Sequence, residues 1–515
     1  MGRPGPNARG VTPSWAEGAV VYQIYPRAFA DTDGDGIGDL PGVTASLDHL
    51  AGPPDSLGVD AIWLSPFYPH GGVDGGYDVT DFTAVAPEFG SLTDVDRLLA
   101  ASHERGVRVL LDLVTGHTSD RHPWFAAARA SRANASRDWY LWADPRPGPA
   151  PPTNWVAAFG GPAWTLDPGS GQFFHHSFYP EQPDLNWRNA AVREEMASAM
   201  RFWLDRGVDG FRVDAIEFLI KDRRLRDNPP AGPPLPPWSP EPGGLRRRWT
   251  RNQPGLAGVL RHLRRVTDEY PDRILVGELY ASARQVAATL GGARGDGLHL
   301  GLDHQLAKSA WDANAFRRAI GGAERHLAPP LSPTWAFSNH DLSRHATRWG
   351  VERARLAALI LLTLRGTVCL YQGEEIGMTD VVPAPGPGRD GARRDRAGRD
   401  PARGPFDWDE AARQRSDHES LLAFYRGLVE LRRRAPAMRH GTLSLLRRLP
   451  PGVLGYERLF GAEKLTVLAN MSDRRTVIRL PPSQANTQLM ATDLNQGHPA
   501  GGKIELDADH GVVIG

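Results

Sequence analysis

The stretch SLTDVDRLLAASHERGVRVLLDL, residues 91–113, contains the unit from which the fold can be predicted. Ser91 followed by Asp94 forms a capping-box pattern, and the apolar residues that come next recur at helical spacing. Gly106 is a typical helix stop, and the apolar run Val107–Leu113 is typical of a buried strand. The stretch therefore predicts a helix, a glycine stop and a strand.

The same unit recurs along the chain, where Gly207 and Gly366 each separate another predicted helix from another apolar strand. Apolar strands separated by helices indicate a parallel sheet that is covered on both faces. Eight such pairs over roughly 420 residues suit an α/β fold of the (β/α)8 TIM-barrel type better than an open sheet. The predicted strands are Ala19–Tyr25, Ala61–Leu64, Val107–Leu113, Phe211–Asp214, Ile274–Gly277, Gly297–Asp303, Thr334–Asn339 and Thr367–Tyr371.

Three segments interrupt this alternation, and the pattern changes near the end of the chain. His117–Arg188 is rich in Trp, Phe, Pro and Asn, which predicts a small inserted domain over the barrel mouth after the third strand. Asn228–Arg248 and Val381–Asp409 are rich in proline or in charged residues and are expected to be exposed loops. After about Ala435, alternating residues predict a C-terminal antiparallel β-sandwich domain. The expected domains are residues 1–116 with 189–435, residues 117–188, and residues 436–515.

Composition limits the kind of partner. The 515-residue chain carries 60 basic and 60 acidic residues, so no net charge attracts nucleic acid or an anionic membrane. It contains no visible signal segment and no apolar run of roughly 18 residues. The single cysteine, Cys369, cannot form an intramolecular disulfide, which fits a reducing cytoplasm. We expect a cytoplasmic protein, monomeric or a small homo-oligomer, with a small neutral partner.

Three acidic residues, Asp214, Glu278 and Asp341, follow strand-like runs. A carboxylate at the edge of an apolar core is desolvated and its pKa is displaced, which is typical of active sites. In a (β/α)8 barrel the active site lies at the C-terminal ends of the strands. Any one of these acids could instead cap a helix or pair with an arginine. Together the three predict an active site on one rim of the barrel.

The sequence around these acids resembles the alpha-amylase family of glycoside hydrolases. The motifs that carry the resemblance are Asp112–His117, Gly210–Asp214, Gly277–Glu278 and Asn339–Asp341. Gln182–Asn186 is similar to a further motif of the oligo-1,6-glucosidase and alpha-glucosidase branch. The resemblance runs from about Val20 to Asp409, with a weaker tail beyond.

The resemblance implies a role for each acid. Asp214 would be the nucleophile, Glu278 the general acid/base, and Asp341 the acid that holds substrate hydroxyls and stabilises the transition state. In retaining glycosidases the first two groups lie roughly 5 Å apart. Arg212 points the same way as Asp214 by the period of a strand, so its charge is expected to keep Asp214 ionised, although a purely structural salt bridge is the alternative. Glu278 would need a raised pKa.

Further residues are implied to bind the sugar. His117 and His340 belong to motifs that contact sugar hydroxyls in the family, although buried structural histidines are the alternative. Asp74 and Tyr77 would form the wall and floor of the pocket for the terminal glucose, although Tyr77 could simply be packed in the core. Arg344 would join Asp74 in closing that pocket. A closed pocket implies an exo-acting enzyme.

An acidic loop at residues 31–39 suggests a metal site. Carboxylates that alternate around glycine turns suit a hard cation with oxygen ligands, and an EF-hand is excluded because the twelfth position, Gly42, is not glutamate. The resemblance implies a structural Ca²⁺, and a solvated acidic turn is the alternative. No organic cofactor is implied. The implied ligands are Asp31, Asp33, Asp35, the Ile37 carbonyl and Asp39.

Three positions depart from the family pattern. Gly116 stands where asparagine is usual, Ala215 follows the nucleophile where valine or threonine is common, and Glu217 is also unusual. The preference among α-1,4, α-1,6 and mixed linkages therefore stays open, with a lean towards α-1,4 or mixed specificity.

The sequence as a whole predicts an exo-acting retaining alpha-glucosidase that acts on short oligosaccharides or disaccharides of the maltose or isomaltose type, with sucrose as a further candidate. A glucosyl transferase or disaccharide isomerase on the same fold, similar to trehalose synthase, is the alternative. Non-catalytic partners of membrane transporters share the barrel, but they lack parts of the acidic triad and carry a membrane anchor.

Overall fold

Eight parallel strands close into a barrel in this computed structural model, which describes residues 12–148, 150–232, 242–382, 395–479, 487–493 and 502–515. The strand order around the barrel is β1-β11-β10-β9-β8-β7-β3-β2, and every neighbouring pair is parallel. The predicted (β/α)8 barrel is thus confirmed. Its strands are β1 (Val20–Ile24), β2 (Ala61–Leu64), β3 (Arg108–Leu113), β7 (Gly210–Val213), β8 (Ile274–Leu279), β9 (Leu300–Asp303), β10 (Thr334–Ala336) and β11 (Thr367–Tyr371).

The stretch at residues 91–113 folds as predicted. Ser91 and Asp94 form a reciprocal capping box at the start of helix α3 (Leu92–Glu104), whose apolar stripe is buried. Gly106 lies two residues beyond the helix and has φ +73°, a conformation that favours glycine. The chain then enters β3, so each repeat carries a strand to the C-terminal rim of the barrel.

Thirteen α-helices are found in the described parts of the chain. Most of them cover the outside of the barrel, and every residue of α10 except Arg355 is buried because the C-terminal domain packs against this helix. The helices are α1 (Leu40–Ala45), α2 (Leu47–Leu50), α3, α4 (Pro123–Ala130), α5 (Ala190–Asp205), α6 (Leu256–Thr267), α7 (Ala283–Thr289), α8 (Ala313–His326), α9 (His345–Trp349), α10 (Ala354–Thr363), α11 (Trp408–Arg415), α12 (Leu421–Arg434) and α13 (Pro436–Arg439).

Between β3 and β7 the chain forms a three-stranded antiparallel sheet, in the segment predicted to be inserted. The sheet contains β4 (Trp142–Ala143), β5 (Trp164–Asp167) and β6 (Gln172–His175) in the order β4-β6-β5. The stacked rings of Trp155 and Trp164, 5.7 Å apart, lie in its own small apolar cluster. This separate cluster supports the proposed domain division, whose boundaries stay a prediction.

The C-terminal region forms two antiparallel sheets, as the alternating pattern predicts. One has the order β12-β13-β14-β18-β16 and the other pairs β15 with β17. Side chains from both sheets, among them Leu468, Ile478 and Ile504, share one apolar cluster and form the sandwich core. The strands are β12 (Thr442–Leu445), β13 (Val453–Phe460), β14 (Glu463–Asn470), β15 (Thr476–Arg479), β16 (Gln488–Ala491), β17 (Lys503–Leu506) and β18 (His510–Ile514).

The two loop predictions hold only in part. Residues 395–409 contain a 3-10 helix, Asp400–Arg403, and bury Arg403 and Phe406, so this part of the predicted loop Val381–Asp409 is not exposed. Asn228, at the start of the other predicted loop, is also buried. Residues 233–241 and 383–394 of the two segments lie outside the described residues.

Over the described ranges, no helix combines the length and the apolar character that crossing a bilayer requires.

Candidate active site

A buried guanidinium, that of Arg212, lies at the centre of the candidate site. Its Nη1 donates to both oxygens of Asp112, at 2.7 and 2.9 Å, and to Oδ1 of Asp214 at 2.7 Å. Its Nη2 lies 2.6 Å from Oε2 of Glu278. The arginine is only 1% exposed, so these charges interact with little solvent screening. Arg212 therefore holds Asp214 and Glu278 close together, one at each terminal nitrogen of its guanidinium.

The ends of β7 and β8 position the two acids. Asp214 directly follows β7, and the next residue, Ala215, has φ +40°, an unusual backbone conformation for a residue other than glycine. This turn directs the amide of Ala215 towards Glu278 Oε2, at 3.3 Å. Glu278 itself lies inside β8, one residue before the strand ends, and not after it as predicted.

Asp341 lies five residues beyond β10, in a turn that Asn339 stabilises. The side-chain oxygen of Asn339 accepts hydrogen bonds from the amides of Asp341 and Leu342, at 3.0 and 2.8 Å. Burial opposes ionisation of Asp341, but His340, Arg399 and Arg403 nearby hold its pKa well below its usual value. Asp341 is therefore a carboxylate at neutral pH.

The predicted sugar-binding residues lie beside these acids. The Tyr77 ring is parallel to the His340 ring, with 5.1 Å between centroids, and the Tyr77 hydroxyl donates to Asp112 at 2.8 Å. His117 Nε2 lies 3.1 Å from the Tyr77 carbonyl oxygen. All three rings are buried below the cavity, and they also line it together with Asp74. Burial lowers the pKa of His340 to about 3, so this ring is neutral.

The motif Gln182–Asn186 supports this wall of the pocket. The side-chain amide of Gln182 donates to Asp74 Oδ2 at 3.0 Å and lies 3.2 Å from His117 Nε2. Asp184 is buried between His175, at 2.9 Å, and Lys221, at 2.5 Å. The motif thus fixes the positions of Asp74 and His117, two residues that line the pocket.

Arg344 does not close the pocket as expected. Its guanidinium donates to the Gln372 carbonyl at 2.6 Å and lies over the Tyr371 ring, 4.6 Å from the centroid. Asp74 is instead bound by Arg399, whose other nitrogen donates to Asp341 at 2.9 Å. The expected role of Arg344 is therefore corrected, because the strand-end turn directs its side chain below the cavity.

Arg399 and Arg403 were missed in the sequence because their partners lie far away along the chain. Arg403 donates to the His340 carbonyl at 2.9 Å and to Asp341 at 3.1 Å. One signal could have revealed them, since two arginines four residues apart in an otherwise loop-like segment share one face of a helical turn. The segment that carries them was predicted to be exposed.

One cavity connects the three acids with Asp74, Tyr77, His117, His340 and Arg399. Asp74, Tyr77 and the three acids line it together with aromatic and basic side chains. Its lining comprises Asp74, Tyr77, His117, Ala158, Phe159, Phe178, Asp214, Ala215, Glu217, Phe218, Arg247, Arg251, Glu278, Tyr280, Lys308, His340, Asp341, Leu342 and Arg399. Glu217, one of the unusual positions, accepts from the amide of Tyr280 at 3.2 Å and pairs with Arg251 at 2.5 Å.

The pKa values of the two central acids are shifted in the opposite sense to the sequence-based expectation. Burial, reinforced by the charges of Glu278 and Asp112, raises the pKa of Asp214 well above its usual value despite Arg212. Burial also acts on Glu278, but the charge of Arg212 and the contact with His304 hold its pKa below the usual value. The two acids share one buried guanidinium, so the ionisation of either one depends on that of the other.

The acidic loop brings together three of its predicted metal ligands. Carboxylate oxygens of Asp31, Asp33 and Asp39 lie within 4.8 Å of one another. Asp31 accepts hydrogen bonds from the amides of Gly34 and Gly36, at 2.8 and 2.9 Å, and these bonds lower its pKa. All the donor atoms are hard oxygens, which fits a calcium ion.

The other two predicted ligands lie in the same loop, outside that carboxylate cluster. The Asp35 carboxylate accepts from the amide of Ile37 at 2.7 Å.

Comparison with known proteins decides the family. Residues 23–441 match the family described as alpha amylase, catalytic domain. This chain belongs to the alpha-amylase family. It is thereby a glycoside hydrolase, as its motifs predict.

Several relatives of known or assigned activity are similar over nearly the whole chain. A probable alpha-glucosidase of Rhizobium meliloti is 41% identical, with 91% of each chain covered. An oligo-1,6-glucosidase of Halalkalibacterium halodurans is 33% identical over 91% of this chain and 92% of its own.

Solved structures extend the comparison to an alpha-glucosyl transfer enzyme and a trehalulose synthase. The alpha-glucosyl transfer enzyme XgtA superposes with a TM-score of 0.86 at 37% identity, over 98% of this chain and 99% of its own. The trehalulose synthase MutB of Pseudomonas mesoacidophila gives 0.84 at 29% identity, over 97% and 99%.

Proposed function

We propose that the protein is an exo-acting retaining alpha-glucosidase that releases glucose from the non-reducing end of short α-glucosides. In this reaction Asp214 attacks the anomeric carbon, and Glu278 donates a proton to the leaving oxygen. Water, deprotonated by Glu278, then hydrolyses the glucosyl-Asp214 intermediate. Asp341 holds hydroxyls of the same sugar and stabilises positive charge on its ring.

The observation that carries this proposal is the shared guanidinium of Arg212. Its two nitrogens contact Asp214 and Glu278 at 2.7 and 2.6 Å, so the two carboxyl groups face one cavity at short range. A short separation favours double displacement through a covalent intermediate, because an inverting enzyme needs room for a water molecule between its acids.

The two roles require different protonation states of the two acids. For attack, Asp214 must be ionised and Glu278 protonated. The hydrogen bond that Arg212 donates to Asp214 at 2.7 Å supports the ionised nucleophile.

The closed end of the cavity supports exo action. Arg399 bridges Asp74 and Asp341 across the pocket, with Arg403 beside it. A sugar chain that entered this end would meet an ion-pair wall, so a terminal glucose fits and an internal one does not. The buried Tyr77 ring offers the floor.

Glucosyl transfer is the second candidate, and the similarity to XgtA and MutB favours it. Both reactions use the same covalent intermediate and differ in whether water or a sugar accepts the glucosyl group. Product analysis with maltose, isomaltose, trehalose, sucrose, kojibiose and nigerose, at low and high concentration, separates hydrolysis from transfer and settles the linkage preference.

The decisive variants are Asp214→Asn and Glu278→Gln. Each should lower kcat by at least roughly a thousandfold, because each removes a group that acts in the transition state. Asp96→Asn, an exposed acid paired with Arg206, is the matched control and should keep full activity. Circular dichroism checks that all three variants fold. Near-normal turnover by either active-site variant would contradict the proposal, as would β-glucose appearing as the first anomer in NMR.

Three finer points accompany the proposal. We propose that Asp31, Asp33, Asp35, the Ile37 carbonyl and Asp39 bind a structural Ca²⁺. A cytoplasmic location is supported by the single, buried Cys369. A monomer or small homo-oligomer is the assembly we expect.

A further inference from the structure

Lys308 is a half-buried cation that lines the cavity and that the proposed chemistry does not use. It follows β9, in a turn closed by a hydrogen bond from its amide to the His304 carbonyl at 3.1 Å. Its ammonium lies 4.0 Å from the centroid of the Tyr280 ring. Across the described ranges of the chain, this ammonium forms no hydrogen bond and no ion pair. The side chain is half-buried, so its charge is partly desolvated, and acceptors supplied by a ligand would stabilise it.

The surroundings hold Lys308 beside the acid/base. Tyr280 follows β8, with its hydroxyl 3.5 Å from Glu278 Oε1 and its ring stacked on His304 at 4.7 Å. Glu217 and Arg251 bind the amide and the carbonyl of Tyr280, at 3.2 and 2.9 Å. The position of the Tyr280 ring is thus fixed by its stacking on His304 and by the hydrogen bonds to the Tyr280 amide and carbonyl.

This position is on the leaving-group side of the scissile bond. The opposite end of the cavity, where Arg399 bridges Asp74 and Asp341, takes the terminal glucose. Glu278 protonates the leaving oxygen, so the groups beyond Glu278 and away from Asp74 face the sugar that departs. Lys308 and Tyr280 are such groups, and both line the cavity.

We propose that the Lys308 ammonium, braced on the Tyr280 ring, donates hydrogen bonds to hydroxyls of the leaving sugar and thereby selects α-glucosides whose leaving group is itself a sugar. This deepens the proposed alpha-glucosidase function and rests on it. An aromatic leaving group carries no hydroxyls at these positions, so it gains little from the ammonium.

The pH dependence follows from the same contact. Burial lowers the pKa of Lys308 to about 8, while Glu278, Asp341 and Glu217 oppose this shift and Arg251 adds to it. Tyr280 and His304 are the other titratable groups packed around it. The ammonium is charged below about pH 8 and neutral above it. Sugar-specific binding is therefore present at neutral pH and lost as the pH rises through 8.

The test compares two substrates in each variant. One is the disaccharide that the wild type cleaves best among maltose, isomaltose and sucrose, and the other is p-nitrophenyl α-glucoside. A hydrogen bond from a charged donor contributes about tenfold to a hundredfold in kcat/KM. Lys308→Met should lower kcat/KM for the disaccharide by about that factor, mainly through KM. The fold-loss in kcat/KM for the aryl glucoside should be at least fivefold smaller. Lys308→Arg, which keeps the charge, should recover part of the loss.

A control variant and distinct contrary outcomes separate failure of this inference from failure of the proposed function. Lys503→Met, at an exposed lysine of the C-terminal domain, should leave both substrates unaffected. An equal loss for both substrates, or no loss for the disaccharide, would overturn the inference. If Lys308→Met fails to fold, the wild-type profile decides, because the disaccharide-to-aryl ratio of kcat/KM must fall above pH 8. A wild type that cleaves no α-glucoside would instead sink the proposed function, and the inference with it.

Discussion

At the scale of single residues, Arg399 joins the two ends of the glucose pocket. Its guanidinium contacts Asp74, Asp341 and Asp395, and its side chain is only 11% exposed. Ion pairs that are screened so little by solvent fix side-chain positions well, and a planar fork can hold two carboxylates at once. The shape of the pocket therefore depends on this residue more than on Arg344.

We expect Arg399→Met to lower kcat/KM for a disaccharide by roughly 30- to 150-fold, since it leaves buried carboxylates short of a partner, at a cost of about 2 to 3 kcal/mol. Arg399→Lys should fall between this variant and the wild type, because a lysine cannot bridge both acids. Arg413→Met, at an exposed arginine, is the control. Steady-state kinetics that give a wild-type kcat/KM for Arg399→Met would rule out the bridge.

At the scale of structural elements, the acidic loop before α1 carries the calcium site that we propose. Asp39 caps α1 by accepting from the Gly42 amide at 2.6 Å, while its other oxygen accepts from Thr32 at 2.7 Å. An ion held by Asp31, Asp33 and Asp39 would thus tie the loop to the start of the helix. Binding to the native state alone stabilises it by about 2.7 kcal/mol at a free ion concentration of about 100 times Kd.

We therefore expect a chelator to lower the Tm of the native protein, and added calcium to restore it. Asp33→Asn should abolish this calcium dependence. Asp81→Asn should preserve it, because Asp81 makes a similar turn contact, with the Thr83 amide at 2.8 Å, away from the cluster. Calorimetry with and without chelator measures the shift, and elemental analysis counts the bound ion. A Tm that ignores both reagents would contradict the calcium proposal.

The elements show why some features were predictable from the sequence and others were not. Apolar runs such as Val107–Leu113 and Thr367–Tyr371 become barrel strands because burial on both faces leaves little alternative. The strand-end acids follow from that register. Arg399 could not be predicted in the same way, since Asp74 lies 325 residues away and only the folded chain brings them together. The raised pKa of Asp214 likewise depends on its burial and on the charges that surround it in the folded chain.

At the scale of the whole molecule, the C-terminal sandwich and the barrel share helix α10. Every residue of this helix except Arg355 is buried, so neither domain alone covers it. From β13, the Tyr456 hydroxyl lies 2.6 Å from Thr363 Oγ1 at the end of α10. Arg458 on the same strand is fully buried and donates to the Thr363 carbonyl at 2.6 Å and to the Gly441 carbonyl at 3.0 Å.

Arg458 is the residue that tests this coupling, because it joins α10 to the sandwich through carbonyls that have no access to water. Arg458→Met keeps the apolar stem but leaves those carbonyls without their donor, and we expect it to lower the free energy of unfolding by about 3 kcal/mol. Arg474→Met, at an exposed arginine of the same domain, should change it by less than about 0.5 kcal/mol. Denaturant unfolding followed by tryptophan fluorescence and by circular dichroism measures both. If the domains stabilise each other through α10, Arg458→Met shifts the fluorescence transition and the circular dichroism transition together. If the sandwich instead unfolds by itself, ahead of the tryptophan-rich barrel, the coupling is absent.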